Sequence, residues 1–238
     1  MIERIYLQKV IEMLIEVGMQ SKRIYEQEFE ALLIQQTRDY YRNESNHYIT
    51  QNSCNDYLAK ANTRLNEEQD RVNSYLHPSS YDKVINEFLR EYIEVHATTL
   101  LRMENSGLIK MLREDKFHQI KLMYSLFKRC PAALDALKLE LKQYIISQGQ
   151  KLVRNETIQN DELIKQIIEF RQRMMDLLSK SLDKDQTVEL AIKNSFESFI
   201  NENEKTAKSL VTYLDDQFKK DFKNNTEVEI TEKVDKVI

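Results

Sequence analysis

The sequence predicts an all-α protein, organised as an elongated stack of antiparallel helical bundles. Its 238 residues include only Gly 3 and Pro 2, far below the usual share of about 7% and 5%. So few chain-breaking residues leave little material for tight turns or hairpins. Apolar residues recur three and four apart along nearly the whole chain, the mark of amphipathic helices, and strand-like alternation competes nowhere. Several of these stripes run past roughly twenty residues. Short connections between such helices favour antiparallel packing of successive elements.

The elements follow in order. Phe29, Leu32, Leu33, Tyr40 and Tyr41 keep helical spacing between Tyr25 and Tyr48. Leu58, Ala61, Leu65, Val72 and Leu76 form a second stripe from Ser53 onward. "HPSSYD" stops that helix, because proline disfavours helical geometry in the residue before it. Ser79 and Asp82, three apart, predict a capping arrangement for the next helix, which carries Val84, Ile85, Phe88, Leu89, Tyr92 and Ile93. His77 is expected at a helix end, against the last carbonyls. Gly107 marks a corner where the missing Cβ permits positive φ or close packing. Beyond it a short helix ends near Asp115, and Phe117, Ile120, Met123 and Phe127 mark another. Pro131 stands at a first helical position, with Leu134, Leu137, Leu141 and Ile145 after it and Gly149 as the expected left-handed cap. Later elements carry Leu163–Leu178, Val188–Phe199 and then Leu210, Leu214 and Phe218. The remainder to Ile238 is charged and polar, with a Thr226–Glu229 capping box.

Composition narrows the function. The net charge of −4 argues against a nucleic-acid-coated surface. One stretch departs from that balance: Lys110 to Arg154 holds ten Lys/Arg against four Asp/Glu, read here as long basic side chains on solvated helix faces. Cys54 and Cys130 form no CxxC pair and imply neither zinc nor a disulfide framework. No apolar run approaches the ~20 residues of a membrane span, and the opening "MIERIYLQKV" lacks a signal peptide's apolar core. The cytosol or nucleus is the expected compartment, where the glycosylation-like triplets at Asn43, Asn155 and Asn224 carry no meaning.

Catalytic motifs are weak. Gly18, Gly107 and Gly149 are too far apart for a Walker loop or a dinucleotide fingerprint. Glu44 and His47 have the spacing of a di-iron bundle ligand pair, but the chain's nearest second pair, Asp115 and His118, straddles a helix boundary. The expectation is that Glu44 and His47 are polar helix residues. Adjacent Glu67 and Glu68 point about 100° apart on a helix and are read as solvated. Cys130 is read as a small buried hydrophobe rather than a nucleophile served by His118. His96 is read as a hydrogen-bonded packing residue. No enzyme, cofactor or metal site is expected.

A family resemblance runs along this helical framework. "FEALLIQQTRDYYRNES" followed by "DYLAKANTRLNEEQDRVNSYLHPSS" resembles the cullins, scaffolds of multi-subunit ubiquitin ligases. It continues in register through "LMYSLFKRCPAAL", "YIISQGQKLV", "SFESFIN" and "LVTYLDDQFKK", covering roughly residues 10–222. "MENSGLIKML" is most like the cullin-three branch, whose substrate receptors carry BTB domains. The resemblance implies a non-catalytic stalk of five-helix repeats that holds a receptor at one end and a RING protein at the other. On that reading residues 1–114 form one repeat lacking the start of the stalk, 115–222 a second, and 223–238 a charged linker or the start of a truncated element. "MIERIYLQ" then corresponds to the end of a receptor-contacting helix, with Arg4 and Tyr6 as candidate partner contacts. The region that binds the RING protein, and the lysine modified by a ubiquitin-like protein, lie outside this sequence. The competing expectations are a helical-rod subunit of a membrane-tethering complex, motivated by the basic stretch, and a di-iron oxidoreductase.

Overall fold

The computed structural model describes residues 4–19, 21–155, 160–202, 208–209, 211–213 and 215. Leu210, Leu214, Phe218 and the whole of 223–238, with its Thr226–Glu229 box, lie outside the described residues. Ten α-helices are described: α1 Arg4–Val17, α2 Ala31–Ile49, α3 Cys54–Tyr75, α4 Tyr81–Leu89, α5 Ala97–Arg102, α6 Leu108–Arg113, α7 Phe117–Phe127, α8 Pro131–Val153, α9 Asn160–Ser181 and α10 Gln186–Asn201. There is no strand among the described residues. A π-turn, Tyr25–Glu30, leads into α2, and a second, Arg90–Glu94, extends α4.

Contacts divide the chain into two compact units, Met1–Leu137 and Lys138–Ile238. Within the first unit α7 packs on α3 and α6.

In the first unit α3 runs antiparallel to both α2 and α4. Pairs Tyr41–Glu68 and Glu44–Arg64 descend one helix as they climb the other, as do Gln69–Tyr81 and Tyr57–Tyr92. α2 and α4 are therefore parallel neighbours. Arg38 meets Glu87 and Arg42 meets Glu91, both at a separation of 49 residues. At their centre lie Tyr41, Tyr57, Phe88 and Tyr92, all fully buried and stacked edge or face at 4.8–5.9 Å. Each large side chain removed from water contributes about 1.5–3 kcal/mol.

In the second unit aromatic rings link the helices. Tyr144 of α8 meets Phe170 of α9 at 6.4 Å, and Phe170 meets Phe196 of α10 at 5.3 Å. Gly149 lies inside α8 rather than capping it. A Cβ there would run into the Phe199 ring, so its role is close approach. None of the glycines has positive φ; left-handed backbone falls instead at Met19, Asp115, Asp183 and Lys184, which follow α1, α6 and α9.

Helix starts are mostly where the sequence places them. The Ser53 hydroxyl accepts from the Asp56 N–H at 3.2 Å, satisfying one orphan donor of α3. Ser79 does not cap α4. His77 Nδ1 accepts from the Ser79 N–H at 3.2 Å and so caps the 3₁₀ turn Pro78–Ser80 that precedes that helix. His77 thus serves the start of the following helix rather than the end of the preceding one.

Candidate interaction surface

The polar interior of the first unit is built to hold helices in one register. Glu30 is buried, yet its carboxylate accepts from Ser80 Oγ at 2.6 Å and from Lys83 Nζ at 2.7 Å. Because Ser80 donates to Glu30, its oxygen is left to accept from Tyr25 Oη at 2.6 Å. Burial raises the Tyr25 pKa and keeps that hydroxyl protonated for the role. Glu91 is likewise buried beneath Arg42, whose Nε and Nη2 reach it at 3.1 and 3.0 Å. Arg38 grips Glu87 in the same two-pronged manner, at 2.9 and 2.7 Å. That hydrogen bond holds the Glu87 carboxyl below the ordinary carboxylate range. Paired forks of this kind fix geometry as well as energy.

Glu68 corrects the sequence reading. It is 1% exposed rather than solvated, accepting a hydrogen bond from Tyr41 Oη and pairing with Arg71 at 2.9 Å. Its neighbour Glu67 pairs with Arg64 at 2.6 Å. Glu44 and His47 are not drawn together on a metal. The Glu44 carboxylate receives Arg64 Nη2 at 2.6 Å, while His47 points to solvent and its carbonyl accepts from Thr50. Asp115, in left-handed backbone after α6, and exposed His118 of α7 are separated by the helix boundary. Burial pushes the Cys54 thiol up to about 12 and the Cys130 thiol up to about 11, so both stay protonated packing groups.

His96 is buried where α4's extension ends. Its Nε2 lies 3.1 Å from Ser45 Oγ, which itself donates to the Arg42 carbonyl at 3.1 Å. Ser45 therefore accepts, and Nε2 carries the proton. Burial lowers the His96 pKa, although nearby Glu91 opposes the shift. A depressed histidine binds fewer protons folded than unfolded, so stability rises with pH across the window below the ordinary value of about 6.5. Urea midpoints are expected to fall between pH 7.5 and pH 5, and His96→Gln should remove part of that decline. An unchanged slope in the variant would show that His96 does not contribute.

Four basic residues of the 110–154 stretch meet acidic or aromatic partners. Lys110 and Lys116 both reach Glu114, at 2.6 and 2.7 Å, and Arg154 reaches Glu202 at 2.7 Å. Lys128 lies over the Tyr124 ring at 5.3 Å. No helix among the described residues is long and apolar enough to cross a membrane.

The open surface is on α1. Ile11 is buried with Val72, Leu76 and Val84, and Leu14 and Ile15 pack against the same cluster. Arg4 turns toward this packed side, its Nη1 3.3 Å from Ser74 Oγ. Tyr6 faces away and is 58% exposed; Val10, Met13 and Val17, at 46%, 51% and 63%, continue its line. The structure thus separates the two nominated contacts onto different sides of one helix. The sequence reading missed Val10, Met13 and Val17. Their 6-10-13-17 spacing beside the packed 11-14-15 row was the available signal.

Residues 1–238 match the Cullin alpha solenoid domain. The chain is 34% identical to Cullin-3 of Dictyostelium discoideum over its whole length, covering 31% of that protein. It is 30% identical to Cullin-3A of Arabidopsis thaliana, again over the whole chain and 32% of the relative. Cullin-3 of Caenorhabditis elegans is 25% identical over 98% of the chain and 31% of its own length. The chain spans about a third of these relatives. The matches do not support the membrane-tethering rod. With an all-helical fold, a match along all 238 residues and cullin-3 relatives from three organisms, the chain belongs to the cullin family, on its cullin-3 branch.

Proposed function

We propose that this chain is the stalk portion of a scaffold subunit in a cullin–RING ubiquitin ligase. It holds a BTB-domain substrate receptor at a fixed distance from a RING-bound conjugating enzyme, so that ubiquitin reaches proteins marked for degradation. Ubiquitin transfer belongs to those partners, and the stalk itself contributes position without chemistry. The observation that carries this reading is the family match over the entire chain, with cullin-3 proteins as its relatives. The Glu30, Glu68 and Glu91 networks support it physically, since paired buried charges resist any sliding that would strand them. The cytosol and nucleus, where such ligases meet soluble substrates, are the corresponding compartments.

Affinity purification of the full-length parent protein tests the proposal. A RING subunit and at least one BTB-domain protein are expected in stoichiometric yield. Recovery of neither would overturn it.

A further inference from the structure

Burial along α4, the π-turn that extends it and α5 comes in adjacent pairs. Val84 and Ile85, Phe88 and Leu89, Tyr92 and Ile93, His96 and Ala97, and Leu100 and Leu101 are all at most 7% exposed. The pairs repeat every four residues. At about 100° per residue, a step of four overshoots a full turn by roughly 40°, so an unbroken α-helix would carry the fifth pair about 160° from the first. A helix packed on one side keeps its apolar arc near roughly 100°. Two or three such pairs pass for an ordinary stripe, but five do not. The backbone takes up the difference around the third pair. The Val95 N–H donates to the Arg90 carbonyl at 3.1 Å, an i→i+5 bond where an α-helix has i→i+4. Leu89, Arg90 and Val95 nonetheless keep helical φ and ψ, so the run continues through the turn. Partners on α2 count the same surplus. Arg42 meets Glu91 at a separation of 49 residues, and Ser45 meets His96 at 51. Residues 90–94 pack on α2 and α7, and α5 packs on α6.

We propose that this π-turn is a phase-correcting device: one surplus residue, held between Arg90 and Val95, keeps all the buried pairs on the packed side of a single helical run. The surplus is Glu94, the exposed residue that follows buried Glu91, Tyr92 and Ile93. Without it the Val95 N–H would meet the Arg90 carbonyl at i→i+4, the ordinary α-helical bond. The pairs would then step by four, four, three and four, and their centres would stay within about 80° of one another. The run thus holds one residue more than a straight α-helix needs, and shortening it by that residue preserves the facing of every pair. The device lies inside the first unit and stands apart from the stalk reading.

Deleting a residue inside a helix ordinarily turns everything beyond it by about 100°. Two deletions in the 238-residue chain therefore test the proposal. One removes Glu94, and the other removes Asn66, an exposed residue in the middle of α3. Deletion of Glu94 should leave cooperative thermal unfolding with a midpoint within about 5 °C of the parent. The near-ultraviolet circular dichroism of the Tyr41, Tyr57 and Tyr92 cluster should persist. Deletion of Asn66 turns buried Glu68 and Val72 away from the core. It should lower the midpoint by at least about 15 °C or abolish the cooperative transition. Glu94→Ala should match the parent, which separates loss of the side chain from shortening of the run. An alanine inserted after Glu94 adds a second surplus residue and should be as damaging as deletion of Asn66. The proposal is overturned if deletion of Glu94 does as much damage as deletion of Asn66, or if the inserted alanine is tolerated equally well.

Discussion

Replacing Tyr41 by alanine is expected to cost about 3–5 kcal/mol, the range for truncating a large buried aromatic. Its ring sits 4.8 Å from Phe88 and 5.9 Å from Tyr92 in edge-on geometry, and its hydroxyl donates to buried Glu68. Alanine removes the ring packing and leaves the Glu68 carboxylate with Arg71 as its remaining partner at 2.9 Å. Tyr41→Phe separates the two losses. It keeps the ring and strips only the hydrogen bond, for an expected cost of about 1–3 kcal/mol. Urea denaturation of both variants, followed by far-ultraviolet circular dichroism, measures the difference. If Tyr41→Phe matched the parent, the hydroxyl-to-carboxylate link would not stabilise the fold.

The second large effect is expected at Gly107, which begins α6. A Cβ at this position would lie 2.5 Å from the Leu101 carbonyl oxygen and 2.6 Å from that of Met103. The Gly107 N–H already donates to the Met103 carbonyl at 2.7 Å, so the turn cannot open without losing that bond. Its φ of −77° is ordinary, and the requirement is space. Gly107→Ala should cost about 3 kcal/mol, the upper part of the overpacking range. That cost lowers the thermal midpoint by roughly 6–12 °C for a chain of this size. Gly149→Ala meets a ring instead of backbone and should cost less, about 1–2 kcal/mol. Phe199→Leu should partly rescue Gly149→Ala but leave Gly107→Ala unchanged. Equal costs at the two glycines would contradict this distinction between backbone and side-chain obstruction.

The helices were legible because each leaves its own trace: a stripe at spacing 3.6, Ser53 before α3, Pro131 opening α8. Local chemistry fixes such features within a turn of chain. What escaped depends on partners far along the sequence. Nothing near Gly149 announces Phe199, and a glycine late in a helical stretch reads equally as a cap. Glu68 read as solvated because its hydroxyl partner, Tyr41, lies 27 residues earlier. The π-turns escaped for another reason: Tyr25–Glu30 and Arg90–Glu94 carry the same amphipathic pattern as the α-helices they adjoin. For the candidate surface, Tyr6 was reached by resemblance, while the open face around it needed knowledge of which stripe of α1 was already covered.

The two arginine–glutamate forks between α2 and α4 behave as a pair of toothed racks. Arg38 and Arg42 are four residues apart, as are Glu87 and Glu91, so the teeth on both scales have the same pitch. Sliding one helix past the other by four residues, about 6 Å, would bring one arginine onto the wrong glutamate. One fork would survive, and one arginine and one glutamate would be left without each other. Intermediate displacements would stretch both. Shear along this pair is therefore opposed by both forks at once, and the neighbouring setting has half the teeth engaged.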